Sequence, residues 1–436
     1  MFYETALVRV EVSSLEMPEA AVIFDQGARP ANALPTTWVE AVPERAVTAA
    51  RACGGRLVFV GAATGEATRD DTSQEDLLWS VARLIEALAR STREKLEIFF
   101  VLSAVPRYAG LWGMLRVVAK EHPELCLRRM LREEGAPLLF PALPMELVLK
   151  HDGAYTPRLR PAVVPPAAVT PPTARRALVT GGLRGLGLKV AEWLATSGRA
   201  ASLVLVGRNP PKPEAASTIE ALRRSVSVEA LVCDVSVWAE VERLPDCDLV
   251  LHCAGAVQDG VLINASQDDM RRVLRPKIRG AVHLKSRYPQ AKLLAFSSSS
   301  GVFGVAGQAT YAAANTFIDA LMPAVQWGGW GETGMVTDLG VEELPGERFM
   351  PVKQGLECLG RVLDSDSRSL RPFCIVDVDW PMFRKNVTVF TADDPLIAEI
   401  GAPMTPPALL GAPRSVGDDG RSRFWEVRIG PAGARW

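Results

Sequence analysis

Histidine is scarce in this chain, with 4 among 436 residues, and none stands at a spacing that would hold a metal ion. The 7 cysteines are scattered from Cys53 to Cys374 without a Cys-x-x-Cys pair. They read as reduced, mostly buried small hydrophobes, so neither a zinc site nor a disulfide framework is expected. Neither sign of charge dominates: 49 Lys+Arg stand against 50 Asp+Glu, a net charge of −1. That balance argues against a nucleic-acid partner, whose phosphates demand a basic surplus. No apolar run is long enough to cross a bilayer, and the opening MFYETALVRVEVSS has neither a signal-peptide core nor a transit composition. The expectation is a soluble, cytoplasmic α/β protein with no metal, membrane or nucleic-acid partner.

What is present is an ordinary globular mix, 48% hydrophobic and 23% charged. A length of 436 residues allows two or three domains. The clearest boundary is RPAVVPPAAVTPPTARR at 160–176, whose five prolines favour an extended connector. Residues 1–160 carry short apolar runs at Arg56–Val60 and Ile98–Ser103, read as buried strands. Leu77, Leu78, Val81, Leu84, Ile85 and Leu88 repeat between them at helical spacing, and a second helix is expected over Leu111–Glu121. This half has no glycine loop and no cluster of catalytic side chains. Tyr108, Trp112 and His122 read as packing or surface residues, so the half is expected to be structural. Residues 176–384 alternate strands and helices more regularly, with strands expected at Arg176–Thr180, Ser202–Val206, Glu229–Cys233, Leu249–Cys253, Lys292–Phe296, Ala324–Trp327 and Phe373–Val378. That alternation implies a parallel sheet with helices on both faces. Residues 161–175 form the connector, and 385–436 turn Pro- and Gly-rich, as a mobile linker would.

The run Thr180-Gly181-Gly182-Leu183-Arg184-Gly185-Leu186-Gly187 follows one of these strands and opens a helix. Glycines there allow a sharp turn and close approach of a dinucleotide pyrophosphate to a helix N-terminus, although such loops also serve as plain turns. The second strand ends in Gly207-Arg208, where an NAD protein would carry Asp or Glu for the ribose hydroxyls. Arg208, with Arg184 adding to the field, suits a 2′-phosphate and hence NADPH; the plain alternative is two solvated arginines. The third strand ends in Asp234-Val235, with Asp234 as a candidate acceptor for the adenine amino group. The fourth ends in Cys253-Ala254-Gly255, small enough for a ribose to pack against. Ser298 falls where a strand leaves the sheet at its ligand-facing edge. Tyr311 and Asn315 are four apart on the next helix, and Lys277 lies on the helix upstream.

In the glycine loop, His252–Gly255, Lys277, the FSS run and GQATYAAAN, the sequence resembles the ketoreductases of modular polyketide synthases, a branch of the short-chain dehydrogenase/reductase superfamily. Most of that superfamily places a lysine four residues after the tyrosine. Here Asn315 holds that place and the lysine is Lys277, the exchanged arrangement of these ketoreductases. WGMLRVVAKEHPE at 112–124 is similar to the family's non-catalytic subdomain, and the segment after Asp379-Trp380 to a linker leading to a carrier domain. The resemblance implies a doubly wound Rossmann-type sheet preceded by a smaller, truncated Rossmann-like structural subdomain. It implies NADPH-dependent reduction of a carrier-tethered β-ketoacyl thioester in polyketide or fatty-acid assembly. Tyr311 would be the proton donor, Ser298 would orient the ketone, Lys277 would support the phenolate and Asn315 the proton-relay geometry. With no synthase, acyltransferase, dehydratase or carrier region in sight, an acyl carrier protein or other synthase domains would deliver the substrate. Asp259 matches the last residue of the Leu-Asp-Asp mark of B-type enzymes. Phe303, eight residues before Tyr311, stands where A-type enzymes carry tryptophan. Both imply the D-configured alcohol, with Asp259 and Phe303 bearing on substrate orientation, although Asp259-Gly260 also reads as a plain turn.

One departure stands out. The family continues the tyrosine helix for several more turns, whereas Pro323 stops it here. A helix over Ala309–Leu321 spans about 20 Å, close to a strand length of roughly 17–20 Å. The crossover is expected to close with almost no loop. The alternative is a module that keeps the fold and binds nucleotide without turnover.

Overall fold

The computed structural model describes residues 2–10, 21–24, 38–40, 42–52, 55–61, 73–91, 95–136, 146–162, 173–333, 343, 346–365, 372–386, 414–415 and 423–424. The expected connector and tail therefore lie largely outside the described residues.

In the second half, β9 (Ala177–Thr180), β10 (Ser202–Gly207), β11 (Ser227–Val232), β12 (Leu249–His252), β13 (Lys292–Ser298) and β14 (Ala324–Trp327) stand in the order β11-β10-β9-β12-β13-β14, all parallel. The reversal between β9 and β12 makes a doubly wound sheet whose carboxyl edge opens a crevice at β9. Each strand lies within two residues of its expectation; β9, β10 and β12 are short, nearly continuous apolar runs, the mark of strands buried on both faces, whereas the edge strand β11 is partly exposed.

The first half holds more strands than periodicity revealed: β1 (Phe2–Val10), β2 (Ala21–Phe24), β3 (Trp38–Glu40), β4 (Arg56–Gly61), β5 (Glu97–Ser103), β6 (Leu127–Arg132), β7 (Glu146–Lys150) and β8 (Gly153–Pro161). Six of them form a parallel array in the order β7-β6-β5-β4-β2-β3. β6, LRRMLR, is missed because its arginines mask it; Arg129 is buried beside Glu146, which also takes Arg116, and the ion pairs permit charge inside the sheet. Among the described residues, the two halves share one sheet of 15 strands. Phe373–Ile375 continues parallel from β14, and β1 then pairs antiparallel with it on one side and with β8 on the other.

Helices complete the join. α1 (Pro43–Ala52), α2 (Ser73–Ser91) and α3 (Pro106–Glu121) belong to the first half, with α3 starting at Pro106, earlier than its apolar pattern. α4 (Gly185–Thr196), α5 (Pro213–Leu222), α6 (Trp238–Val241), α7 (Gln267–Arg287), α8 (Ser300–Phe303) and α9 (Ala309–Leu321) belong to the second. The apolar set of α2, Leu78, Ile85 and Leu88 among it, is buried in one core with Leu274 and Ile278 of α7 and Phe317 of α9. Tyr108 and Trp112 are packing residues as expected. Glu75 of α2, 4% exposed, faces Arg275 at 3.2 Å and also meets Arg279 of α7. α9 ends as its sequence dictates: Met322 and Pro323 alone connect it to β14, and Pro323 O accepts from Ala295 N at 2.9 Å. The short crossover closes.

α3 and α9 cross without room for a side chain. A Cβ on Gly113 would stand 2.4 Å from Thr316 Oγ1 and 2.7 Å from Ala312 O. Gly113→Val is therefore expected to wedge the halves apart and destabilise the protein by about 1–3 kcal/mol. The gain in helix propensity, under about 1 kcal/mol, does not offset this. Denaturant unfolding monitored by circular dichroism checks it; an unchanged midpoint would refute close packing there.

Candidate active site

The carboxyl ends of β9, β10, β12 and β13 and the first turn of α4 converge on a cleft of about 550 Å³. Gly181 turns with φ +70°, and a Cβ there would lie 3.2 Å from Ala254 N and Cα, so only glycine lets the loop meet the end of β12. Arg184 is the extended residue before α4, and no side chain caps the helix. Gly185, Leu186 and Gly187 line the cleft, so the uncapped first turn borders it. A glycine-walled turn ending in an uncapped helix is a cradle for a dinucleotide pyrophosphate, and the residues present fit one. Gly182 sits beneath that surface and donates its N–H to Val206 O at 3.1 Å. Thr180 ties two strand ends together: Oγ1 accepts from Ala254 N at 3.1 Å and lies 2.8 Å from His252 Nδ1. Burial, with the Lys277 charge adding, pushes His252 down to about 3, so the imidazole is neutral.

Arg208 and Arg184 lie exposed at the rim, and neither meets a carboxylate among the described residues. Lys212 joins them, a third cation that is hard to see in the sequence because it precedes a helix and carries no motif. Val235, Ala254 and Gly255 line the cleft as well. Asp234 does not: its Oδ1 accepts from Ser236 N at 2.9 Å and Ser236 Oγ at 2.8 Å, and its own N–H donates to Glu240 Oε2 at 2.7 Å. Its carboxylate closes a local turn instead of facing the cavity.

At the other end of the cleft stand Ser298, closing β13, and Tyr311, in the first turn of α9. Burial pushes the Tyr311 phenol above its ordinary value, and hydrogen bonds with the side chains of Asn315 and Ser298 oppose that rise. Lys277, 2% exposed, donates to Phe296 O at 2.7 Å, and its Nζ lies 5.7 Å from the Tyr311 ring centre. Burial pushes Lys277 down to about 8, with the Asp319 carboxylate opposing. A Cβ on Gly255 would lie 2.8 Å from Lys277 Cε, so that glycine leaves the space the lysine occupies. Asn315 is buried one turn behind Tyr311 and does not line the cleft. Its Nδ2 donates to Tyr311 O at 2.8 Å, and its Oδ1 has no partner among the described residues.

Asp319 is a further charge that the motifs do not mark. It continues the Tyr311–Asn315 face by one more turn, a four-residue spacing that would have found it. Burial raises its carboxyl to about 6, and Gln326 Nε2 donates to it at 2.8 Å. Asp259 lines the cleft mouth with a hydrogen bond to Gln308; burial raises its carboxyl and that bond opposes. Phe303 stands outside the cleft. It is 5% exposed in an aromatic cluster with Trp380 at 6.0 Å and Phe383 at 5.9 Å, where apolar burial holds it. Among the described residues no group of side chains could hold a metal, and no helix is long and apolar enough to cross a membrane.

Known proteins share this arrangement. Residues 176–341 match the family model described as KR domain. Polyketide synthase GfsA of Streptomyces halstedii is 32% identical over 369 residues, covering 74% of this chain and 5% of that protein. Polyketide synthase GfsB of the same organism is 32% identical over 367 residues, 74% of this chain and 6% of that protein. The chain thus spans only a small part of the curated relatives it matches. A solved A1-type ketoreductase superposes with a TM-score of 0.76 at 25% identity, covering 90% of this chain and 96% of the other. An A-type ketoreductase from a modular polyketide synthase gives 0.75 at 26% identity, with 90% and 96% covered. Sheet order, glycine cradle and the serine–tyrosine–lysine cluster define a short-chain dehydrogenase/reductase fold, a nicotinamide-dependent class of oxidoreductase. Within it, residues 176–341 are a ketoreductase (KR) domain, and similarity to polyketide synthases extends over 74% of the chain.

Proposed function

We propose that this protein reduces a β-ketoacyl thioester to the β-hydroxyacyl thioester with NADPH, in a cytoplasmic polyketide assembly whose acyl carrier protein or neighbouring synthase domains deliver the substrate. The observation that carries the reading is the meeting of Ser298, the Tyr311 phenol and the buried Lys277 ammonium at one end of a cleft whose other end is a glycine-walled helix N-terminus. When bound, NADPH supplies the hydride that reaches the ketone carbon. Ser298 Oγ donates a hydrogen bond to the ketone oxygen and orients it. Tyr311 OH passes its proton to that oxygen as charge develops on it. The Lys277 ammonium, held by Phe296 O, lowers the cost of the phenolate left behind. Asn315, gripping the Tyr311 backbone carbonyl, keeps the phenol in place for the proton relay. Gly181, Gly182, Gly185, Leu186, Gly187, Val235, Ala254 and Gly255 form or back the cofactor wall, and Arg184 and Arg208 favour a 2′-phosphate.

Asp259 at the cleft mouth supports the B-type reading, in which the acyl arm enters on that side and the D-configured alcohol forms. Chiral analysis of the reduced thioester tests it, and a predominantly L-configured alcohol would overturn it.

Three further outcomes concern catalysis, pH and cofactor choice. Tyr311→Phe is expected to lower turnover of a β-ketoacyl N-acetylcysteamine thioester by about 10²-fold or more, with NADPH affinity nearly unchanged. In the wild type, turnover should hold below the Lys277 value of about 8 and decline above it, because the ammonium is lost as pH rises. Steady-state kinetics across pH measure both; NADPH binding with no turnover at any pH would favour the non-catalytic reading. For cofactor choice, NADPH should be preferred to NADH, and Arg208→Ala should shrink the preference by about tenfold, the low end for a charge-assisted bond because Arg208 is exposed. Equal use of the two cofactors by the wild type would refute the assignment.

A further inference from the structure

The last turn of α3 belongs to the half without catalytic residues, yet it holds the loops at the mouth of the cleft. Glu121 Oε1 accepts from Gly307 N at 2.7 Å, and Oε2 accepts from Leu262 N at 3.1 Å. Gly307, at φ +83°, directly precedes Gln308, and Leu262 follows Asp259-Gly260-Val261. The two loops also meet each other: Gly260 N donates to Gly307 O at 2.8 Å, and Asp259 is hydrogen-bonded to Gln308. Asp259 and Gln308 both line the cleft. On the same helix, Lys120 donates to Phe303 O and Arg116 to Gly301 O, at the turn that follows Ser298. Arg116 and Lys120 thus take carbonyls of α8 and Glu121 takes loop amides, a match of charge to backbone polarity.

We infer that Glu121 is a positioning residue for substrate entry, its carboxylate setting the separation of the Asp259 and Gln308 loops between which the acyl-thioester arm passes. The inference rests on the ketoreductase reading for the identity of that arm. Both amides that Glu121 accepts from lie outside the glycine cradle, so its loss is expected to leave NADPH affinity nearly unchanged. Burial raises the Glu121 carboxyl while the two amide bonds oppose the rise, as befits a half-buried acceptor between neutral donors.

The test uses the full chain with Glu121→Ala and Glu121→Gln. Glu121→Ala is expected to raise the KM for a β-ketoacyl N-acetylcysteamine thioester at least about tenfold while kcat stays within about threefold, the pattern of lost uniform binding. NADPH affinity, read by nucleotide fluorescence, should change less than about twofold, and amide hydrogen exchange across 258–264 and 304–308 should speed up at least about tenfold. Glu121→Gln keeps an acceptor oxygen and nearly the same shape, and should fall between wild type and Glu121→Ala. Unchanged exchange in those segments would overturn the inference. So would kcat, KM and NADPH affinity worsening together, since that marks a general fold defect. If the wild type does not reduce the thioester, the ketoreductase reading fails, and the exchange measurement still decides whether Glu121 holds the loops.

Discussion

The contact between α3 and α9 is the constraint on which the rest of the molecule depends. α9 carries Tyr311 and Asn315 on one face, and its Ala312–Thr316 stretch lies against Gly110 and Gly113 of α3. Glycine on one helix and alanine on the other bring the backbones close enough that no methyl group could be added at Gly113. That closeness exchanges side-chain freedom for rigidity, since a close-packed interface has one arrangement rather than several. The short helix that carries Tyr311 needs this support: α9 ends at Leu321, and residues of α2 and α3 share its buried apolar core.

The buried charges follow from that packing. Lys277 is almost wholly removed from water, an unfavourable place for an ammonium unless groups are arranged around it. Phe296 O accepts from it, and Asp319 lends a negative charge from two turns beyond Tyr311. His252 nearby is pushed down as well, by burial first and the Lys277 charge second, and stays neutral. Three titratable groups within one small volume are thus moved in directions set by burial first and by one another second. The nearby phenol shares the environment, so its readiness to give up a proton depends on all of them.

The first half of the chain, none of whose described residues lines the cleft, holds it from behind and from the side. Glu75 meets arginines of α7, the helix that bears Lys277, and the end of α3 meets the loops after β12 and α8. β1 goes further and pairs with Phe373–Ile375, so a single sheet runs through both halves. Shear between them would break hydrogen bonds as well as apolar contacts.

Much of this was legible in the residues alone. The apolar runs located β9, β10 and β12 because strands buried on both faces have no polar alternation to confuse them. The glycine loop, Ser298 at a strand end and the Tyr311–Asn315 pair are legible because their spacing is local, whereas Lys277, on a separate helix, is singled out through the family resemblance. By itself the sequence determined the doubly wound half, the end of α9 at Pro323 and the cofactor cradle. Only the tertiary structure decided that Asp234 spends an oxygen on Ser236, that Phe303 joins the Trp380 cluster outside the cleft, that Asp319 interacts with the Lys277 charge, and that Glu121 holds Gly307 N. It also revealed β6, whose arginines hide a strand until Glu146 is brought beside them. The physical reason is the range of the interactions: turns, caps and periodicity act within a few residues, whereas ion pairs and backbone contacts between Glu121 and Gly307 depend on which distant segments the folded chain makes neighbours.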